Sequence, residues 1–182
     1  MSATVRADYG IDAPPVIRNL LIVGGVLLLT AAGAGVGLLP RVLELHPSAQ
    51  SVVRFPLTFN LVFVGIAFVG TAAWMYFGSR YGKIPERDRL LDYVALSGSE
   101  RVLDVGCGRG LLLVGAAKRL TTGSATGVDI WQAEDLSGNA ADVPLRNAAI
   151  EGVADRVSVR TADMRALPFD AGAFDVVVSR AA

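Results

Sequence analysis

From Leu20 to Leu39 the chain carries no charge, and only Thr30 interrupts the apolar and small residues; from Phe55 to Gly78 it is again uncharged, with Thr58, Asn60 and Thr71 as polar exceptions. At roughly 1.5 Å of rise per residue, each run is long enough to cross about 30 Å of hydrocarbon as a helix. A helix in a soluble core would show a polar face, and neither run has one. The pattern therefore predicts two transmembrane helices, at about 20–39 and 55–78, within a 17–80 membrane segment. Residues 1–16 are polar, lack a period and contain Pro14 and Pro15, so they read as a short flexible tail. The alternative for the first run is a cleaved signal peptide, because "AGA" at Ala32–Ala34 resembles a cleavage site. The run exceeds the roughly 7–15 residues of a signal core, so a retained anchor is the reading adopted.

After Gly82 the period changes. "ERDRLLDYVAL" sets Leu90, Leu91, Val94 and Ala95 on one helical face, with Pro85 near the first turn. Then "RVLDV" reads as a strand, "GLLLVGAAKRL" as a helix stopped near Gly123, "SATGVDI" as a second strand and "VPLRNAAIEG" as a helix ending at Gly152. "RVSVR" and "FDVVVS" are the third and fourth strands. Strands alternating with helices predict a Rossmann-like, doubly wound, mostly parallel sheet over 81–182, following a transmembrane helical hairpin.

Composition narrows the function classes. The 182 residues carry 17 basic and 17 acidic side chains, which gives no electrostatic case for nucleic acid, and the single cysteine, Cys107, excludes an internal disulfide. Arg80, Lys83, Arg87 and Arg89 cluster just after the second run, whereas the loop between the runs has Arg41 and Arg54. By the positive-inside rule both chain ends face the cytoplasm and the 40–54 loop faces out. Gly33 and Gly37 form a GxxxG, readable either as a close-approach point between the helices or as two of many small residues.

The chemistry concentrates in "RVLDVGCGRGLLL", Arg101–Leu113. Gly106, Gly108 and Gly110 allow positive φ and close backbone approach, and a helix beginning at about Leu111 offers free N–H groups. A nicotinamide fingerprint is G-x-G-x-x-G; here the third glycine comes one residue early. Asp104, two residues before the first glycine, would repel a pyrophosphate and suits a cofactor carrying an ammonium group.

"VLDVGCGRG" resembles the first motif of class I S-adenosylmethionine-dependent methyltransferases, of the methyltransferase type 11-like kind, and the similarity continues over residues 83–182. "GVDI" is similar to the second motif, which implies that Asp129 accepts both ribose hydroxyls with Ile130 beside it. "TADMRALPF" is similar to the third, implying that Asp163 accepts from the adenine amino group while Met164 lies against the ring. "FDVVVS" matches the fourth strand, after which the donor methyl and the acceptor meet, near Ser179. The resemblance thus implies S-adenosylmethionine as cofactor. It implies a cofactor site of Asp104, Gly106, Cys107, Gly108, Gly110, Asp129, Ile130, Asp163, Met164 and Ser179, and direct methyl transfer to a small-molecule or lipid-like acceptor. It assigns no catalytic base, and no metal is expected.

Several positions keep a plainer reading. Cys107 has no neighbouring base to activate it and reads as a small packing residue. His46 reads as solvated loop surface. Trp131 either covers an adenine face or packs. "WQAEDLSGNAADVP" is longer than the commoner connection, as a cofactor lid or a docking loop; Tyr81, Gly82 and Lys83 stand where the resemblance implies chain running over the methionine end of the cofactor, and the reading favoured for them is a basic juxtamembrane anchor. The chain ends directly after the fourth strand, where the family continues, so the expectation is an incomplete sheet of about four strands, with "FDVVV" an exposed edge and the fragment alone inactive. Two other functions remain: a non-catalytic membrane protein with a methyltransferase-like module, and, less favoured, an NAD-dependent oxidoreductase. The localisation expected is a bacterial inner membrane with the soluble domain cytoplasmic; acceptor and oligomeric state are not encoded.

Overall fold

The computed structural model describes residues 6–48, 51–132 and 136–180. They form two compact bodies, Pro14–Phe77 and the N-terminal residues through Ala13 together with Gly78–Ala182.

The first body is a helical hairpin, α1 (Pro14–Gly35) and α2 (Leu57–Phe77), with a small antiparallel ribbon of β1 (Leu43–Ser48) and β2 (Ser51–Phe55) between them. Pro14 and Pro15 open α1, because a first-turn residue needs no N–H and proline's fixed φ is helical. The helix therefore starts at 14 rather than about 20, and the tail expected over 1–16 ends at Ala13. At the other end Arg41 Nε donates to Ala34 O at 3.2 Å and its Nη2 to Gly35 O at 2.6 Å, satisfying last-turn carbonyls. The ribbon pairs Leu43 with Phe55 and Glu44 with Arg54, the latter also an ion pair of 2.9 Å. His46 falls in β1, its side chain outside the described residues. Helix α1 and the helical run Leu57–Val94 that begins with α2 are long and apolar enough to cross a membrane, by length and composition.

The helices approach at Gly24 and Gly65 rather than at the GxxxG. A Cβ on Gly24 would lie 2.8 Å from Val69 Cγ2 and 3.0 Å from Gly65 O; one on Gly65 would lie 2.8 Å from Leu28 Cγ. Gly33 has nothing nearer than Leu39 at 3.6 Å, and Gly37, past the end of α1, has open space. The GxxxG is thus a helix terminus, not the crossing.

In the second body a π-helical turn, Gly78–Gly82, leads into α3 (Lys83–Val94), followed by β3 (Arg101–Val105), α4 (Leu111–Ala117), β4 (Ser124–Asp129), α5 (Val143–Ile150), β5 (Val157–Thr161) and β6 (Val176–Ser179). The four strands make one parallel sheet in the order β5-β4-β3-β6. Both crossover helices, α4 and α5, serve steps in the same direction and so lie on one face. There Leu91, Val102, Leu113, Val114, Leu120, Ala125 and Val153 form the core, joined by Val157, Val159, Val176 and Val178 from the edge strands. Ser158, Arg160 and Val177 point the other way and are exposed, so the edge strands alternate as half-covered strands do. Among the described residues β6 is an edge carrying the exposed Val177, as the sequence predicts.

In α3 the buried positions are Lys83, Arg87 and Leu91, spaced by four, while Leu90 is exposed. The apolar residues alone point to a face displaced from the real one. Gly115 on α4 explains it: a Cβ there would meet Arg87 Cδ and, at 2.8 Å, Leu91 Cδ1, so the stems of α3's buried side chains pack on bare α4 backbone.

Candidate cofactor site

The sheet's parallel order brings the carboxyl ends of all four strands to one edge, the side on which open α/β sheets bind ligands. Between β3 and α4 the chain turns through Gly106, Gly108 and Gly110, whose φ values of +70°, +50° and +84° favour residues without a Cβ. The amides of Gly106 and Cys107 both donate to Val128 O, at 2.8 and 3.0 Å, fastening the turn to β4. Gly110 has a second reason to be glycine, since its Cβ would lie 2.9 Å from that of Pro144.

A cavity of about 620 Å³ opens above this turn, within the roughly 300–1,000 Å³ common for small-molecule sites. Of the ten residues expected to hold a cofactor, Asp104, Gly106, Cys107 and Gly108 line it from the turn, and Asp129, Ile130, Asp163 and Met164 from the ends of β4 and β5. Gly110 and Ser179 are not on its wall; Ser179 Oγ instead donates to Val105 O at 2.9 Å, tying β6 to β3. Ile130 and Met164 are about half exposed, apolar surface available to a flat ring.

The three acids differ in their surroundings. Asp104 is 2% exposed, and its Oδ2 accepts the Leu113 N–H at 2.8 Å in the first turn of α4. Burial outweighs that bond and, with the Asp129 charge nearby, raises its pKa to about 7. Asp129 accepts the N–H groups of Gly108 at 2.7 Å and Trp131 at 2.6 Å, with Asn139 Nδ2 at 3.3 Å. It therefore shapes the turn, while a carboxylate's four lone-pair positions leave room for further donors. Asp163 is clasped by Arg165, through its backbone N–H at 2.9 Å and its guanidinium at 2.5–3.1 Å, which lowers its pKa to about 2. Cys107 belongs to the core, and burial pushes its thiol well above the ordinary range, so it is no nucleophile at neutral pH. Trp131 takes the packing alternative: it lies against the core and donates Nε1–H to Thr161 Oγ1 at 2.8 Å.

The turn, the acid at the end of each of the first three strands and the strand order together decide the comparison. Residues 102–182 match the family model of a methyltransferase domain. Over 100 residues the chain is 38% identical to nocamycin O-methyltransferase of Saccharothrix syringae, a match covering 52% of this chain and 32% of that protein. It is similar to the solved geranyl diphosphate C-methyltransferase from Streptomyces coelicolor A3(2), in complex with Mg2+, geranyl-S-thiolodiphosphate and S-adenosyl-L-homocysteine, at 29% identity over 52% of this chain and 32% of that one, with a TM-score of 0.43. A cyclopropane-fatty-acyl-phospholipid synthase-like protein from Lactobacillus casei ATCC 334 is 23% identical over 53% of this chain and 37% of that one, with a TM-score of 0.46. The chain thus spans about a third of the length of the curated relative it matches.

Beside the methyltransferase-domain match, the cavity has walls that the motifs do not mark. Tyr9, Asp12 and Ala13 line it, as do Lys83, Arg109 and Arg180. Lys83, read from sequence as a membrane-surface cation, is 4% exposed and bonds to residues 9, 10 and 12. Arg109, inside the glycine motif, and Lys83, by its place in the resemblance, carried a positional signal; the N-terminal residues have no period or motif to announce a contact more than seventy positions away.

Proposed function

We propose that the chain is the membrane-anchored, cofactor-binding part of an S-adenosylmethionine-dependent methyltransferase acting on a small-molecule or lipid-like acceptor. The observation that carries this is the convergence of Asp104, Asp129 and Asp163 on one cavity above a three-glycine turn. S-adenosylmethionine is the cofactor, and it supplies a methyl group on a sulfonium for in-line transfer to a nucleophilic atom of the acceptor. The donor set fits it. Asp104, when ionised, faces an ammonium; Asp129, which already holds the turn, offers its remaining lone pairs to ribose hydroxyls; Asp163 faces an adenine amino group beside the exposed Met164.

The protein's part is to hold and orient the reactants, which in well-aligned cases lowers a barrier by about 7–11 kcal/mol. The glycines let backbone approach the ligand, the apolar side chains Ile130 and Leu112 exclude water, and the rigid parallel sheet fixes the acids relative to one another. No described residue is assigned as a base.

The lipid-like acceptor and the membrane anchor are supported by the two helices' length, apolarity and exposed apolar flanks, such as Leu29 and Phe59. The basic residues after α2 favour a cytoplasmic domain, at a bacterial inner membrane. Titration of S-adenosyl-L-homocysteine into the detergent-solubilised protein tests the reading: saturable binding is expected, and none at millimolar ligand would refute it.

A further inference from the structure

Residues 8–13 are bound to the rest of the second body by directed contacts. Asp8 pairs with Arg109 at 2.8 Å, Arg109 Nε donates to Asp8 O at 2.9 Å, and Asn147 both accepts from Asp8 N and donates to Asp8 O. Ile11 N donates to Ser137 Oγ at 2.8 Å and Ser137 N returns a bond to Ile11 O at 3.1 Å, while Asp12 pairs with Leu136 as an antiparallel bridge. Asp12 also exchanges bonds with Ser79, at 3.2 and 3.3 Å. From these we infer that Asp8–Ala13 is a strap forming one wall of the cofactor cavity, closing with Leu136–Asn139 over the bound cofactor, and that Lys83 and Arg109 are the positioning residues that latch it. The inference rests on the reading of the cavity as a cofactor site.

The latches belong to the site itself. Arg109 stands between two glycines of the turn, and besides Asp8 it holds Ser137 O and Gly138 O at 2.9 and 3.0 Å, so one guanidinium joins turn, strap and loop. Lys83 Nζ reaches Tyr9 O at 3.0 Å, Gly10 O at 2.9 Å and Asp12 Oδ1 at 2.8 Å. All three of its donors are thereby satisfied, and by the strap alone. With the strap withdrawn, a buried ammonium would lose these acceptors, which is unfavourable. Gly10 fits the contact because its φ is +70° and a Cβ would meet Arg109 Cδ at 2.7 Å.

The strap is nevertheless able to open. Tyr9 is its one deeply buried apolar residue, and the Asp8 carboxylate is largely exposed, so release exposes little apolar surface and costs less than global unfolding. Cofactor then enters with the strap open and is retained with it closed; by linkage, closure raises the ligand's affinity by the same factor by which the ligand stabilises the closed strap. The long connection after β4 is explained as well, since its Leu136 and Ser137 are the strap's receiving edge. The methyltransferase-domain match begins at residue 102, so the strap lies outside the matched residues.

Hydrogen exchange and calorimetry on the complete chain in detergent, with S-adenosyl-L-homocysteine as probe, test the inference. In the wild type, saturating probe should slow exchange at Ile11 and Asp12 by at least about tenfold, and Lys83→Met combined with Ser137→Ala should lower probe affinity at least about tenfold and abolish that protection. Wild-type binding with unchanged exchange at Ile11 and Asp12, or variant affinity within about twofold of wild type, would overturn the strap while leaving the cofactor reading intact. Failure of the wild type to bind at all would overturn both. Should Lys83→Met fail to fold, the mild Ser137→Ala and the wild-type exchange data decide.

Discussion

Asp129 Oδ2 accepts the N–H of Gly108 at 2.7 Å, so the acid that ends β4 also holds the middle of the glycine turn that ends β3. One carboxylate thus shapes the site and, in the proposed complex, receives the ribose. Asp129→Ala removes two charge-assisted bonds to the ligand, each worth about 1.5–3 kcal/mol. Even with water replacing part of the loss, affinity for S-adenosyl-L-homocysteine should fall by at least about tenfold in calorimetry. Because the Gly108 and Trp131 amides also lose their acceptor, thermal stability should fall as well, by about 1–3 kcal/mol. Asp155→Ala, which removes only a surface contact to Arg156, should change neither. Full affinity in Asp129→Ala would remove Asp129 from the ribose site.

Asp104 makes binding and stability depend on pH in opposite directions. Its folded pKa, raised to about 7, lies above the ordinary 3.8, so between these values the native state keeps a proton that the unfolded state has lost. Stability contributed by this group is therefore full below pH 4, declines as pH rises towards 7, and is level beyond. A ligand ammonium needs the ionised form, whose population rises about tenfold from pH 6 to pH 8 for a pKa near 7, and apparent affinity should rise with it. Asp104→Asn should flatten both profiles over pH 5–8, measured by thermal melts and by calorimetry. A wild-type affinity that does not change between pH 6 and 8 would separate Asp104 from the ligand's charge.

Gly127 in β4 is required by the turn. A Cβ there would lie 2.7 Å from Cys107 Sγ and 2.8 Å from Leu113 Cδ2. Gly127→Ala should destabilise the domain by about 1–3 kcal/mol, as overpacking does, and displace the turn enough to weaken ligand binding. Urea unfolding gives the first and calorimetry the second. Gly152→Ala, where a Cβ meets open space but φ is +74°, isolates backbone strain and should weaken stability without touching affinity.

The hairpin's crossing point is equally specific. Gly24→Val should force α1 and α2 apart by about 2 Å, since interaxial distance follows the side chains at the contact, whereas Gly33→Val should not. Spin labels at Ile22 and Phe63, both exposed, placed in a Cys107→Ala background would read the separation in micelles. Equal distances in the two variants would mean that the crossing lies elsewhere.

Sequence patterns made the hairpin, the four strands and the first three motifs legible because each signal is local: uncharged length, β-branched runs, glycines in a short turn. Eight of the ten expected site residues meet at one cavity for that reason. What was not legible depends on distance or direction. Leu90 outranks Arg87 as an apolar residue, yet Arg87 is the one buried, because Gly115 opens space only at that point. Gly110 lies off the cavity wall, and its close approach to Pro144 is a packing demand that the motif does not announce. The strap is the extreme case, with Asp8 and Asn147 separated by 139 positions and no periodic pattern in either segment.

The proposed orientation across a membrane rests on charges that the fold treats unequally. In the loop between the helices, Arg41 is spent on the carbonyls of Ala34 and Gly35, and Arg54 on Glu44. After α2, Lys83 and Arg87 are buried and paired with Asp12 and Asp88, while Arg80 and Arg89 remain exposed. The positive-inside rule acts on the nascent chain and counts basic residues near the span ends, so in the proposed membrane-anchored protein the cluster at 80–89 is expected to govern and the 40–54 loop to be translocated. Cysteines introduced singly at Ser48 and at the exposed Ser99, in a Cys107→Ala background, should therefore behave differently on intact cells. An impermeant maleimide should label position 48 and spare position 99 until the membrane is opened. The reverse pattern would place the cavity on the side away from the cytosol, where S-adenosylmethionine is made, and the proposed activity would lose its cofactor supply.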